Sequence, residues 1–94
     1  MVVLQIEHKV QSFDGWKRAF DNDPINRRKS GVLNYSIFRP INDPNYVLIH
    51  LEFSTITEAE DTLAALRNLW SKVEGQIMMN PQTRILDLVE TIQV

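Results

Sequence analysis

"VLNYSIFRPINDPNYVLIHLEF", residues 32–53, consists of two oily runs around a polar hinge. Its flanks, residues 32–39 and 46–53, are rich in β-branched and aromatic residues, the types that fit a pleated, half-buried surface. Between them "PINDPN" (40–45) is turn chemistry: proline fixes one backbone angle, and Asn and Asp side chains bond the backbone nearby. The spacing predicts a hairpin with a slightly long loop. What flanks it on each side decides the fold.

On the N-terminal side, residues 2–10 alternate with period two. Val2, Leu4, Ile6, His8 and Val10 share one face, and Val3, Gln5, Glu7 and Lys9 the other. That is a strand with one well-buried face, in which His8 takes a position otherwise given to oil. Ser12 is placed to cap a helix, because its hydroxyl can accept from the free amides of the first turn. Phe13, Trp16, Ala19 and Phe20 then recur at helical spacing, and Asp14, Lys17, Arg18 and Asp21 point elsewhere. Asp23-Pro24 interrupts that helix, since a residue before proline avoids helical geometry. "INRRKSG" (25–31) reads as a short second helical piece with Gly31 as its left-handed cap.

Beyond the hairpin, Thr55 followed three residues later by Glu58 is a capping box. Ala59, Leu63, Leu66, Trp70 and Val73 step by four and three, which predicts an amphipathic helix ending near Gly75. "MMNPQ" (78–82) reads as a loop, and "RILDLVETI" (84–92) as the last strand. There are no repeats and no low-complexity segments. The order β-α-β-β-α-β in 94 residues, with right-handed crossovers, predicts one α+β domain over 1–94. It is a ferredoxin-like sandwich whose four-stranded antiparallel sheet carries both helices on one face.

Two helices cover only one face of such a sheet, so the other should read polar in a monomer. Instead, strand two offers Leu33, Tyr35 and Ile37 one way and Val32 and Phe38 the other. Strand three sets Val47, Ile49, Leu51 and Phe53 against Tyr46 and Leu48. The last strand sets Leu86, Leu88 and Ile92 against Ile85 and Val89. A second oily face marks an interface, and a two-fold homodimer packed sheet against sheet is the expected solution.

The bulk composition excludes several classes. At 44% hydrophobic and 23% charged the chain is an ordinary globular one, and a net charge of −2 argues against a nucleic-acid or anionic-membrane surface. No cysteine is present, so disulfides, thiolate nucleophiles and cysteine metal ligands are excluded. "MVVLQIEHKV" carries Glu7, His8 and Lys9 too early for a signal peptide, and no apolar run reaches the roughly 18 residues a membrane span needs. The expected compartment is the cytoplasm. Three glycines and no phosphate loop, nucleophile elbow or paired helix-face acids leave no nucleotide or hydrolase signature.

"HKVQSFDGWKRAFD" (8–21), "GVLNYSIFRPINDPNYVLIHLEF" (31–53) and "LRNLWSKVEG…NP" (66–75, 80–81) resemble small bacterial proteins of the dimeric α/β-barrel superfamily. They lie near the antibiotic biosynthesis monooxygenase-like proteins and the cyclases grouped with them. The resemblance covers nearly the whole chain. It implies a small-molecule cavity between the sheet and the helices of each subunit, with no cofactor. In some related cyclases a first-strand histidine lines that cavity, and His8 is similar in position. No second catalytic histidine has a counterpart here, and Asn34 and Trp70 match the monooxygenases' asparagine and tryptophan only loosely.

His8 is therefore the candidate catalytic group, since imidazole titrates near neutral pH. The competing reading is a neutral core imidazole bonded to a backbone carbonyl. Trp16, Phe20, Tyr35, His50 and Trp70 are the candidate ligand-binding residues: three aromatics at core spacing that can also wall a pocket, a phenol, and an imidazole. His50 falls on the less oily face of strand three, which makes it an interface hydrogen bonder rather than a partner for His8. The two histidines have no ligand spacing and no third ligand, so no metal is expected. "RRK" (27–29) reads as a solvated helix end and "IMMNP" (77–81) as a flexible lip. Two functions compete: a cofactor-independent monooxygenase or cyclase on a small aromatic or polyketide-like compound, and a non-catalytic dimer that binds a small hydrophobic ligand or serves as an interaction protein.

Overall fold

The computed structural model describes residues 1–73 and 78–94. Along the chain run β1 (Val2–Val10), α1 (Phe13–Asp21), α2 (Arg27–Ser30), β2 (Asn34–Phe38), β3 (Tyr46–Phe53), α3 (Ile56–Val73) and β4 (Met78–Asp87). The strands form one antiparallel sheet in the order β2-β3-β1-β4. This is the ferredoxin-like α+β arrangement, with the two long helices packed on one face.

The alternation in β1 is the reason. Leu4 pairs with Leu51, Ile6 with Ile49 and His8 with Val47, so the oily halves of the two central strands point to the same side. Trp16 and Ala59 close over that side from α1 and α3, with Phe13, Phe20, Leu63, Leu66 and Trp70 packed at the margin. Leu4, Val47 and Phe53 have no exposed surface, and each such side chain contributes roughly 1.5–3 kcal/mol on burial.

Local signals set the helix ends. The Ser12 hydroxyl accepts from the Gly15 amide at 3.2 Å. Thr55 and Glu58 exchange bonds as a capping box, Glu58 N–H to Thr55 Oγ1 and Thr55 N–H to Glu58 Oε1, both 3.2 Å. Gly31 closes α2 at φ +99°, where a side chain is strained, and a Cβ there would stand 2.5 Å from Glu58 Oε2. The helix end expected near Gly75 lies outside the described residues.

The last strand differs from its expected bounds at both ends. It begins at Met78, inside the segment read as a loop, and stops at Asp87 rather than at 92. Proline is excluded from a central strand, but β4 is an edge and accepts Pro81. Pairing ends where β1 ends, Val2 opposite Asp87, with a last bond from Leu88 N–H to Met1 O at 2.9 Å. Leu88, Val89 and Ile92 therefore sit beyond the sheet and do not oil its second face. The lip expected over 77–81 is likewise strand from Met78 onward, and Ile77 lies outside the described residues.

The second face is also more mixed than expected. Tyr35 pairs with Leu51 and Ile37 with Ile49, which puts both on the helix side. Val3, Phe38, Leu48 and Leu86 remain on the outer side, among Gln5, Glu7, Ser36, Glu52 and Arg84. Among the described residues, no helix is long and apolar enough to cross a membrane.

Candidate functional site

A cavity of about 270 Å³ lies between the helix-facing side of the sheet and the helices. Ile6 and His8 of β1 and Ile49 and Leu51 of β3 form its floor. Trp16, Ala19 and Phe20 of α1 make one wall, and Leu66, Leu69 and Trp70 of α3 the other. Asn22, Pro24, Ile25 and Arg27 stand at the mouth, where the break after α1 turns the chain back. The lining is mostly apolar with a few polar groups, the usual make-up of a small-molecule site.

His8 is the polar group in the floor and only 2% exposed. Its Nδ1 donates to the Lys9 carbonyl at 3.0 Å. That bond fixes the tautomer with the proton on Nδ1 and leaves Nε2 as a lone-pair acceptor. Nε2 has no hydrogen-bond partner among the described residues. Burial lowers the pKa of His8 below its ordinary 6.5, and the Lys9 bond offsets this in part. The ring is neutral at pH 7.

A bulge in β4 frames this residue. Glu7 pairs with Gln82 and Lys9 with Met79, so β4 spends one extra residue opposite His8. Asn80, at φ +53°, precedes Pro81 there, a left-handed residue followed by one without an N–H. Such bulges recur beside active sites, where they twist the strand and re-aim neighbouring side chains.

The aromatic wall is continuous. Trp16 lies edge-on to His8 at 6.0 Å between ring centroids and 5.1 Å from Phe20, and Phe20 lies 5.0 Å from Tyr35. The structure thus brings His8, Trp16, Phe20 and Trp70 to one cavity, with Tyr35 behind Phe20 rather than in the lining. His50 is on the opposite face of the sheet. There Gln5 Nε2 donates to its Nε2 at 3.1 Å, and Phe38 packs on its ring at 5.1 Å. His50 thus stands outside this cavity, on the outer face where the parity of β3 puts it. Asn34, opposite Glu52, faces outward too.

Arg27 is the residue that the sequence reading passed over, as one of three basic residues at a helix end. It folds back so that its guanidinium carbon lies 4.0 Å above the Phe20 ring and 5.0 Å from that of Tyr35. Its Nη1 donates to the Phe20 carbonyl at 2.8 Å and stands 3.6 Å from Asp23 Oδ1. No local spacing marks it, because Asp23 and Asn26 are left-handed and lie before α2, so the fold-back is set by the path of the chain. Among the described residues, no three His, Asp or Glu side chains cluster as a metal ion would need.

This is a ferredoxin-like α+β protein with a small-molecule-sized cavity between sheet and helices. No protein-family model matches the sequence, and no curated protein matches it. Solved structures do. One is SnoaB, a cofactor-independent oxygenase from Streptomyces nogalater: TM-score 0.77, 9% identity, 97% of this chain and 95% of that one. Another is an antibiotic biosynthesis monooxygenase: TM-score 0.69, 16% identity, 96% of this chain and 100% of that one. A third is a dimeric ferredoxin-like protein from an uncultured marine organism: TM-score 0.64, 13% identity, 97% of each chain. The resemblance read in the sequence is thereby shown at the level of fold.

Proposed function

We propose that the protein is a cofactor-independent monooxygenase acting on a small aromatic compound with an acidic hydroxyl or enolisable position. The observation that carries this is His8: a neutral imidazole in the floor of an aromatic-walled cavity, with one nitrogen held by Lys9 O and the other without a hydrogen-bond partner among the described residues. The likeness to SnoaB and to the antibiotic biosynthesis monooxygenase supports the same class.

In this reading Nε2 takes the substrate proton. The resulting imidazolium keeps its Nδ1–H on the Lys9 carbonyl, which favours the charged form and limits the cost of burying it. Loss of that proton leaves an electron-rich aromatic anion, the form able to pass an electron to dioxygen. Trp16, Phe20 and Trp70 hold the ring and exclude water. A base of lowered pKa suits this task, because it stays unprotonated at neutral pH.

We further propose that two copies pack sheet against sheet through Val3, Phe38, Leu48 and Leu86, as the dimeric marine neighbour suggests. Oxygen uptake with dihydroxynaphthalenes tests the activity. Acceleration over buffer that disappears in His8→Gln is expected. Binding without any His8-dependent uptake would leave the non-catalytic binder.

A further inference from the structure

The cavity has a charge at one end only. Among the described residues lining it Arg27 alone carries a formal charge, because His8 is neutral at pH 7. Arg27 is also held in place. Its side chain is only 15% exposed, its guanidinium carbon sits 4.0 Å over the Phe20 ring, and one Nη1 bond ties it to the end of α1. A guanidinium has five N–H donors, and the bonds to protein use Nη1 alone. The Nε and Nη2 donors have no hydrogen-bond partner among the described residues. Asp23 offsets part of the charge, but at 3.6 Å it is beyond close hydrogen-bond range of Nη1, and its Oδ1 also accepts from the Arg27 amide at 2.8 Å.

The size of the cavity bounds the body of the ligand. A pocket of about 150 Å³ lined by apolar side chains takes one benzene ring. About 270 Å³ is therefore room for one ring or two fused rings, not for a long polycyclic system.

From these observations the geometry points to a specific ligand class: a one- or two-ring aromatic anion of the naphthoate type, its carboxylate or other acidic group on Arg27. Its ring lies against Phe20, Trp16 and Trp70, and its hydroxyl or carbonyl edge toward His8. The inference rests on the cavity being the functional site and adds to it the residue that sets ligand charge. Arg27 is a specificity-determining residue here, separate from the proton chemistry of His8.

The two tryptophans of the chain both line the cavity, so intrinsic fluorescence reports its filling. The probes are 2-naphthoate, its neutral counterpart 2-naphthamide, and 2-anthracenecarboxylate. Naphthoate binds at least about tenfold more tightly than naphthamide, the scale of one charge-assisted hydrogen bond. Anthracenecarboxylate binds more weakly than naphthoate. In Arg27→Met the naphthoate preference disappears while naphthamide affinity holds. Asp23→Asn removes the competing charge, keeps an oxygen for the Arg27 amide, and sharpens the preference even if the Arg27 variant does not fold.

Equal binding of naphthoate and naphthamide, no naphthoate binding, or a preference that neither substitution moves would overturn the inference. Oxygenase turnover has a separate outcome. His8-dependent oxidation of neutral hydroquinones without an anion preference defeats this inference and leaves the oxygenase reading standing. An anion preference without turnover does the reverse.

Discussion

The imidazole of His8 and the indole of Trp16 meet edge to face, ring centroids 6.0 Å apart and planes 62° apart. One is in the first strand and the other in the first helix, with only Gln11 and Ser12 between the two elements. The contact turns a local connection into the inner corner of the cavity. It also covers the imidazole on one side, while on the β4 side the bulge leaves His8 without a register partner.

His8 is the group whose loss separates binding from chemistry. His8→Gln keeps an amide that can donate near Lys9 O but supplies no basic nitrogen. Oxygen uptake should fall by about 10²–10⁴-fold, the usual contribution of a positioned general base. Naphthoate binding, followed by tryptophan fluorescence, should change little. Equal loss of both would mark His8 as structural.

Burial lowers the folded-state pKa of His8 below 6.5, so below pH 6.5 the unfolded chain binds more protons than the folded one. The fold therefore loses stability as pH falls from 6.5 toward the folded pKa, by at most about 1.4 kcal/mol per pH unit from this residue. About one unit above 6.5 and beyond, both states are deprotonated at His8 and the effect is absent. Urea unfolding of wild type and His8→Gln between pH 7.5 and 5 measures the difference between the two slopes. Parallel slopes would contradict it.

Gly31 and Gly15 make a matched pair. At Gly31 an added methyl group meets Glu58 and the backbone sits at φ +99°, so Gly31→Ala should cost about 1–3 kcal/mol. At Gly15 the nearest atoms are 3.7 Å away, ordinary contact, inside the first turn of α1. Gly15→Ala should be neutral or stabilise by up to about 1 kcal/mol. Denaturant midpoints of the two variants decide it.

Phe53 has no exposed surface and stands at the end of the β1–β3 ladder opposite Val2. Phe53→Ala should cost about 3–5 kcal/mol, from lost burial and the void left behind. Denaturant unfolding at pH 7 reads it directly.

Much of this was legible because β1 and β3 alternate strictly. Val47, Ile49, Leu51 and Phe53 could only face the helices once Leu4 and Ile6 did, and that parity sent His8 and His50 to opposite sides. The capping residues Ser12 and Thr55 were equally plain. The bounds of the last strand were not legible: an edge strand accepts Pro81, and the oil of Leu88 and Ile92 continues past the end of its partner strand. Arg27 was missed for a different reason. Charge at a helix end usually solvates, and only the tertiary path of the chain shows one of three basic residues lying on Phe20.

The outer face tests assembly. Leu48 lies between Glu7 of β1 and Phe38 of β2 on that face. Sedimentation should give twice the 10.9 kDa chain mass for wild type and a folded monomer for Leu48→Asp. A wild-type monomer at micromolar concentration would remove the sheet-to-sheet dimer.

In the proposed function, Nε2 of His8 is an unprotonated acceptor open to a small aromatic in the cavity. Long-range nitrogen–proton NMR of the histidine rings during titration with 2-naphthol measures this in one series. Free His8 is expected to show the Nδ1–H tautomer at pH 7, and its Nε2 resonance to move on ligand addition while the His50 resonances stay fixed. A His8 already protonated or bonded at Nε2, or one whose Nε2 resonance ignores saturating ligand, would contradict it.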